Sequence, residues 1–404
     1  MRGAFSFAHG NVLILMAVWA ITDFASFLPD TYYSLYAEAL GASAFLLGII
    51  VSVSSFVMAF LQLAGGYWAD KYGRKLLIEG MSFGRALIFL IFATAPTWHF
   101  ILLGEILLGI STISQPALTA ILADSLPPEK RGLGYSLTIV AGATSILSPL
   151  VAGYLYLTYN LVIGMRIAYL IVSLCWFLSG LLFLRLTETL KAEKQVSVKD
   201  AISQNPKAFK ECLSVWKLVP KPMINLLLVF TPAMFFVRMC IPYYVLYANH
   251  ILQIGAFQWA LLQMWSSIMF YASVIPVGKL VDVIGRKKPL LLSSIFFAFG
   301  LLLFLHGDVP RLYVFFALSA IGNALIFTAY PSLQADLTSR ELRGKVIGFT
   351  NFLDCILASG ALLIGGFLYD NVSSMTPFLL QLSAMIITTV ATVLFIREPK
   401  IKEE

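Results

Sequence analysis

Charge is what this sequence has least of. Of 404 residues only 12% are charged and 59% are hydrophobic, with a mean hydropathy of +0.86. Soluble domains carry about twice that share of charge, roughly 25%, and about 45–50% apolar residues. A chain this long has core enough to satisfy itself with an ordinary surface, so the deficit means that most of its surface meets lipid. That excludes a soluble enzyme, a nucleic-acid-binding protein and a disordered tail. The four cysteines include no CxxC pair: Cys175, Cys240 and Cys355 sit in apolar stretches and Cys212 in a polar one. Neither a disulfide framework nor a metal site is expected. The four histidines, His9, His99, His250 and His306, fall at or near the ends of apolar runs. HExxH, GxSxG and GxxxxGK[ST] are missing, so no zinc hydrolase, serine hydrolase or nucleotide site is expected, and no cofactor. The first apolar run is too long for the core of a signal peptide.

What the chain does have is long apolar runs. A spanning helix needs about 20 mostly apolar residues, and twelve such runs are found near 10–38, 43–69, 76–95, 98–124, 132–159, 163–186, 222–249, 257–281, 289–306, 311–336, 345–369 and 375–396. The expected fold is an all-α membrane protein of twelve helices. Residues 187–221 differ, with seven lysines and four acids. They divide the chain into a first six-helix bundle (1–186), a linker (187–221) and a second bundle with a short tail (222–404). The linker reads either as a solvated tether or as an interfacial helix built on Val198, Ala201, Ile202, Phe209, Leu213 and Trp216.

The net charge of +7 is an orientation mark. With the N-terminus inside, 24 of the 28 basic residues fall on the cytoplasmic side; Arg166 and Arg311 fall outside, and Arg85 and Arg238 within helices. Lys and Arg mark cytoplasmic loops, so both termini and the linker are expected in the cytoplasm of a cell whose plasma membrane holds the protein.

The two halves are diverged copies. Gly66-Tyr-Trp-Ala-Asp70-Lys-Tyr-Gly73-Arg74-Lys75 recurs as Gly278-Lys-Leu-Val-Asp282-Val-Ile-Gly285-Arg286-Lys287 at an offset of 212, which also maps Asp124, Arg131-Gly132 and Gly153 onto Asp336, Arg343-Gly344 and Gly365. Tyr32-Tyr33-Ser-Leu-Tyr36-Ala matches Tyr243-Tyr244-Val-Leu-Tyr247-Ala at an offset of 211. Parallel repeats about an axis along the membrane normal are a transporter architecture. The doubled loop, with the topology and linker, resembles the major facilitator superfamily and its G-x-x-x-D-[R/K]-x-G-R-[R/K] signature; Val283 departs from it in the second copy. The resemblance implies a secondary active transporter, and it implies that Asp70 meets the helix starting near Lys345 across the half-to-half interface and Asp282 the one starting near Gly132. Carboxylates suit such positive helix ends. Within each loop the glycines Gly66, Gly73, Gly278 and Gly285 permit tight turns and close approach. Arg74 is expected to pair with Asp124, and Arg286 with Asp336, with Arg131 and Arg343 joining the clusters as a cytoplasmic latch.

Ionisable residues inside a membrane are costly and mark pathways. Asp23, Glu105 and Asp354 are the candidates for proton coupling, Asp23 first. Glu105 stands where many relatives carry an Arg linked to proton handling, and Arg85 is its nearest expected counter-ion. Asp23 and Arg238, at near-equivalent positions of the two halves, are the candidate charged contacts of a substrate cavity. Tyr32, Tyr33, Tyr36, Tyr243, Tyr244 and Tyr247 either line that vestibule or form an aromatic belt. Ser148-Pro149-Leu-Val-Ala-Gly153 partly resembles the G-P-x-x-G-G stretch of proton-coupled exporters. The reading is a monomeric, proton-coupled transporter of a small solute, leaning to export, whose partners are substrate, protons and lipid, with no nucleic acid. An uptake symporter for a sugar or organic acid is the alternative within the class, and a non-transporting receptor or membrane enzyme the alternative outside it.

Overall fold

A computed structural model describes residues 10–127, 138–190 and 219–398, without the side chains of 62–64, 66, 67, 70–72, 340 and 341. The described residues are helical throughout their regular structure. In chain order the helices are α1 (Asn11–Asp30), α2 (Tyr33–Ala39), α3 (Ala44–Tyr72), α4 (Arg74–Thr94), α5 (Trp98–Ser111), α6 (Gln115–Ser125), α7 (Ser148–Phe183), α8 (Lys221–Cys240), α9 (Tyr244–His250), α10 (Ala256–Ile284), α11 (Lys287–Leu305), α12 (Val309–Asp336), α13 (Arg340–Asn371) and α14 (Thr376–Phe395). Among the described residues, eleven stretches are long and apolar enough to cross a membrane. One of them, Thr138–Phe183, runs for 46 residues and turns back at Asn160, where φ is 63° and ψ 175°. It therefore holds two spans, which makes twelve.

Four expected spans are broken among the described residues, and the sequence explains each break. The first divides after Pro29 into α1 and α2. The seventh divides at Ile241-Pro242-Tyr243, a 3-10 turn between α8 and α9. The fifth divides at Ala143–Leu147, a 3-10 turn just ahead of Pro149. The fourth divides at Thr112–Ser114, also 3-10. There Pro116 has no N–H to give to the Thr112 carbonyl four residues back, and the Gln115 N–H takes that carbonyl in a tighter turn.

The described chain clusters into two units. The first comprises 10–41 and 53–190, the second 42–52 and 219–398. In the first, α4 packs on the second arm of α7 and α1 lies against α7. Its core at the motif end gathers Val12, Leu15, Ile78, Ile121 and Phe183. In the second, α12 packs against α10 and α11, and α8 against α13 and α14. Met223, Leu226, Leu290, Leu325 and Leu333 form its core. The outer helix faces stay apolar and uncovered, as at Leu157, Leu174, Ile387 and Leu394. Such faces suit lipid rather than water.

The first turns of α3 belong with the second unit because backbones touch there. A Cβ on Gly48 would lie 2.6 Å from the Leu362 carbonyl oxygen, and one on Gly366 2.7 Å from that of Ala44. Tyr243 donates its hydroxyl to the Leu362 carbonyl at 3.1 Å. Asp370 Oδ2 accepts from the Phe45 N–H at 2.7 Å, capping the start of α3. Ser52 and Ser359 are hydrogen-bonded at 2.9 Å, both buried.

Candidate functional site

The doubled loop folds as the repeat requires. Gly73 (φ 91°, ψ 138°) and Gly285 (φ 85°, ψ −175°) make the two turns in a backbone region that is essentially glycine's alone. Arg74 pairs with Asp124, and Arg286 Nε lies 3.0 Å from Asp336 Oδ2, so both expected ion pairs form. Arg343 Nε donates to the carbonyls of Ala335 and Thr338, each at 3.2 Å, at the C-terminal end of α12. No described atom lies within 4 Å of a Cβ placed on Gly278. Gly66 lies within α3, and Asp282 is exposed at the end of α10. The Asp70 side chain, Arg131 and the start of the helix near Gly132 lie outside the described residues, as does the helix expected in 198–216.

Each loop also has a carboxylate that motif reading missed. Glu188 Oε2 accepts from the Lys75 N–H at 2.9 Å; Glu398 Oε1 accepts from the Lys287 N–H at 2.6 Å. Both sit at the positive start of a helix. The lysine amines reach back to the Leu184 and Val393 carbonyls at 3.0 and 2.8 Å. The signal was available: Glu188 and Glu398 are 210 residues apart, close to the repeat offset.

The tyrosine sets correct an expectation. Tyr32, Tyr36, Tyr243 and Tyr247 line neither a vestibule nor a belt in this structure; all four are buried. Tyr36 donates to the Phe92 carbonyl at 2.9 Å, and Tyr247 to the Leu305 carbonyl at 3.1 Å. Tyr32 packs on Tyr156, and Tyr243 on Tyr369, with ring centroids 5.2 and 5.3 Å apart. These are scaffold contacts repeated in both halves. Tyr33 and Tyr244 differ, each bonding a polar side chain of its own unit: Tyr33 donates to Glu105 Oε1 and Tyr244 to Gln381 Oε1, both at 2.9 Å.

Glu105 therefore meets Tyr33, and Ser54 also bonds its carboxylate. Asp30, at the end of α1, lies in electrostatic range of Glu105, and so does the buried Tyr169. Two carboxylates thus share one neighbourhood, a juxtaposition that helix spacing alone did not rank. Arg85 is not the counter-ion of Glu105. Its Nε donates to Ser111 Oγ at 2.9 Å and a terminal nitrogen to the Ser111 carbonyl at 3.3 Å. Its guanidinium carbon lies 4.5 Å from the Trp176 ring centroid. The 3-10 break ends α5 at Ser111, whose carbonyl accepts from Ser114 Oγ at 3.1 Å as well as from Arg85.

Asp23 and Arg85 line one cavity of about 240 Å3, together with Trp19, Thr22, Gln115 and Trp176. Ser148, the exporter-like position, donates to the Phe24 carbonyl beside Asp23 at 2.7 Å, and Thr144 to that of Ala20 at 2.7 Å. Asp23 and Arg238 are less equivalent than they first look: the offset of 211 carries Asp23 to Met234 and Arg238 to Phe27, one helical turn out of register. The local neighbour of Arg238 is Asp354, which also lies in range of Tyr330. Among the described residues no group of three or more His, Cys, Asp and Glu side chains is arranged to hold a metal ion.

Comparison with known proteins covers the whole of this architecture. The sequence profile of the Major Facilitator Superfamily matches residues 13–272 and 226–404. The multi-drug resistance efflux pump PmrA of Streptococcus pneumoniae is 24% identical over 387 residues, 90% of this chain and 94% of that one. The multidrug resistance protein MdtG of Escherichia coli is 21% identical over 364 residues, 87% and 86% of the two chains. Among solved structures, the peptide transporter POT in complex with sulfate aligns with a TM-score of 0.74 over 95% of this chain and 93% of its own, at 14% identity. The inward-open xylose transporter XylE of E. coli aligns at 0.69 over 96% of each chain, also at 14% identity.

Proposed function

Because the chain belongs to the Major Facilitator Superfamily, and is thus a multi-pass secondary transporter rather than an enzyme, we propose that it exports small amphiphilic solutes in exchange for protons, with Glu105 and Asp30 as the proton site. It works as a monomer in the plasma membrane, with both termini and the 187–221 linker in the cytoplasm. Its likeness to the efflux pump PmrA supports the direction, and the distribution of basic residues supports the orientation. Asp70 and Asp282, with the Arg74–Asp124 and Arg286–Asp336 pairs, form the cytoplasmic latch.

The observation that carries the coupling is the carboxylate pair. Asp30 and Glu105 stand in electrostatic range of one another, and no cation lies within 4 Å of either among the described residues. Two negative charges in an apolar medium repel strongly, and one proton shared between them relieves that repulsion. Tyr33 and Ser54 hold Glu105 in place through donated hydrogen bonds. A conformational change that alters access to the pair then exchanges its proton with one side of the membrane or the other. Asp354 fits this role less well, since Arg238 stands in its electrostatic range; Asp23 lines a cavity with Arg85 and has no second carboxylate among the residues of that lining.

The test is flux in sealed proteoliposomes. Purified protein should move a fluorescent cationic dye against an imposed pH gradient, in the direction opposite to the protons. Glu105→Gln should abolish gradient-driven flux and retain dye exchange at equal pH. Movement of dye and protons in the same direction would establish the symporter instead. Gradient-driven flux that survives in Glu105→Gln would remove Glu105 from the coupling.

A further inference from the structure

Arg85 is 7% exposed, and the protein satisfies only part of it. Ser111 takes Nε and one terminal nitrogen; the other terminal nitrogen has no hydrogen-bond partner among the described residues, and the side chain lines the cavity between α1, α4, α6 and α7. No carboxylate lies within 4 Å of it among the described residues. A buried guanidinium without a carboxylate is expensive unless something neutralises it. Asp23 lines the same cavity without forming an ion pair with Arg85 at that distance. The walls carry two indoles, Trp19 and Trp176, and the amide of Gln115.

We propose that this cavity is a head-group subsite for aromatic zwitterions. The carboxylate of the substrate meets the open edge of Arg85, its ammonium group meets Asp23, and its ring lies against the two tryptophans. Charge selects among the possibilities. A simple anion would satisfy Arg85 and face Asp23; a simple cation would satisfy Asp23 and leave Arg85 bare. A molecule carrying both charges matches both walls and enters without changing the net charge of the cavity. Size agrees: about 240 Å3 is less than the roughly 300–1,000 Å3 that drug-sized ligands occupy, so the cavity takes a head group and one ring and leaves the rest of a larger substrate outside. The proposal rests on the transporter reading but not on which residue carries the proton.

Binding to the purified full chain in detergent tests it, with tryptophan fluorescence and thermal shift as readouts. The probes are 4-(aminomethyl)benzoate, its methyl ester, which lacks the anion, and 4-methylbenzoate, which lacks the cation. The zwitterion should bind about tenfold or more tightly than either, as expected for losing one charged hydrogen bond. Arg85→Gln should remove that preference, and Arg85→Lys should retain part of it. Asp23→Asn should turn the preference toward 4-methylbenzoate, which keeps the test decisive should changes at the buried Arg85 prevent folding. Equal binding of the three probes, no binding by any of them up to their solubility, or an unchanged preference in Asp23→Asn would overturn the proposal. Wild-type dye export in vesicles separates the outcomes: export without zwitterion binding removes the subsite and leaves the coupling, and binding without gradient-driven export does the reverse.

Discussion

The two halves keep the same scaffold and differ in what they place inside it. The ring contacts of Tyr32 and Tyr243, the carbonyl bonds of Tyr36 and Tyr247, the Arg–Asp pairs and the Glu188 and Glu398 caps all occur twice. The charges within the spans do not. The repeat offsets carry Asp23, Asp30, Arg85 and Glu105 of the first half to Met234, Ile241, Phe297 and Ala317 of the second, and carry Arg238 and Asp354 back to Phe27 and Gly142. Tyr33 donates to a carboxylate where Tyr244 donates to an amide. Both copies keep the contacts that hold a bundle together, because each half packs in the same way. The interior charges are costly in an apolar medium and survive only where they do something, so each half holds its own set.

The strongest way to break this comparison is at the carboxylates. Glu105→Gln should cut gradient-driven flux on the order of a hundredfold, the scale of losing a proton-transfer group, whereas Gln381→Leu in the second half should leave that flux gradient-driven. Comparable losses in both variants, measured in the same vesicles, would mean that the halves share the coupling.

Next come the turn glycines, which should respond alike. Gly73→Ala and Gly285→Ala each place a side chain in a glycine-only region, at a cost of about 1–3 kcal/mol. Gly285→Ala should be the worse of the two, because its Cβ would lie 2.5 Å from a Glu398 carboxylate oxygen, against 3.1 Å from that of Glu188 at Gly73. Thermal unfolding of the two variants gives the order. The smallest effect belongs to the tyrosine pair. Tyr33→Phe and Tyr244→Phe each lose one hydrogen bond, about 1 kcal/mol of stability, yet only Tyr33→Phe should move the pH dependence of flux. A matching displacement in Tyr244→Phe would take Tyr33 out of the proton site.

Sequence reading found the loop clusters and misjudged the tyrosines for related reasons. Arg74, Asp124, Arg286 and Asp336 lie at span ends, where few charges compete and the repeat offset picks the partner. Tyr32, Tyr36, Tyr243 and Tyr247 looked like vestibule residues because tyrosine is amphipathic; whether its hydroxyl meets solvent or a carbonyl depends on the neighbouring helix. The same holds for Arg85, assigned to Glu105 by depth alone and found on Ser111.

The sequence by itself determined the number of spans, the duplication and the ion pairs at the motif end. Length in apolar residues, a shared offset and the scarcity of charge suffice for these, since each is a property counted along the chain. Only the tertiary structure decided which interior groups meet: Asp30 with Glu105, Arg85 with Trp176 and the cavity of Asp23, Glu188 and Glu398 with the helix starts. A partner inside a bundle is set by the rotation of each helix about its axis, and successive residues point about 100° apart. Helices that are apolar nearly all round carry no strong stripe to fix that rotation. Packing against neighbouring helices fixes it instead, through close approaches such as Gly48 on Leu362 and through hydrogen bonds such as Arg85 on Ser111.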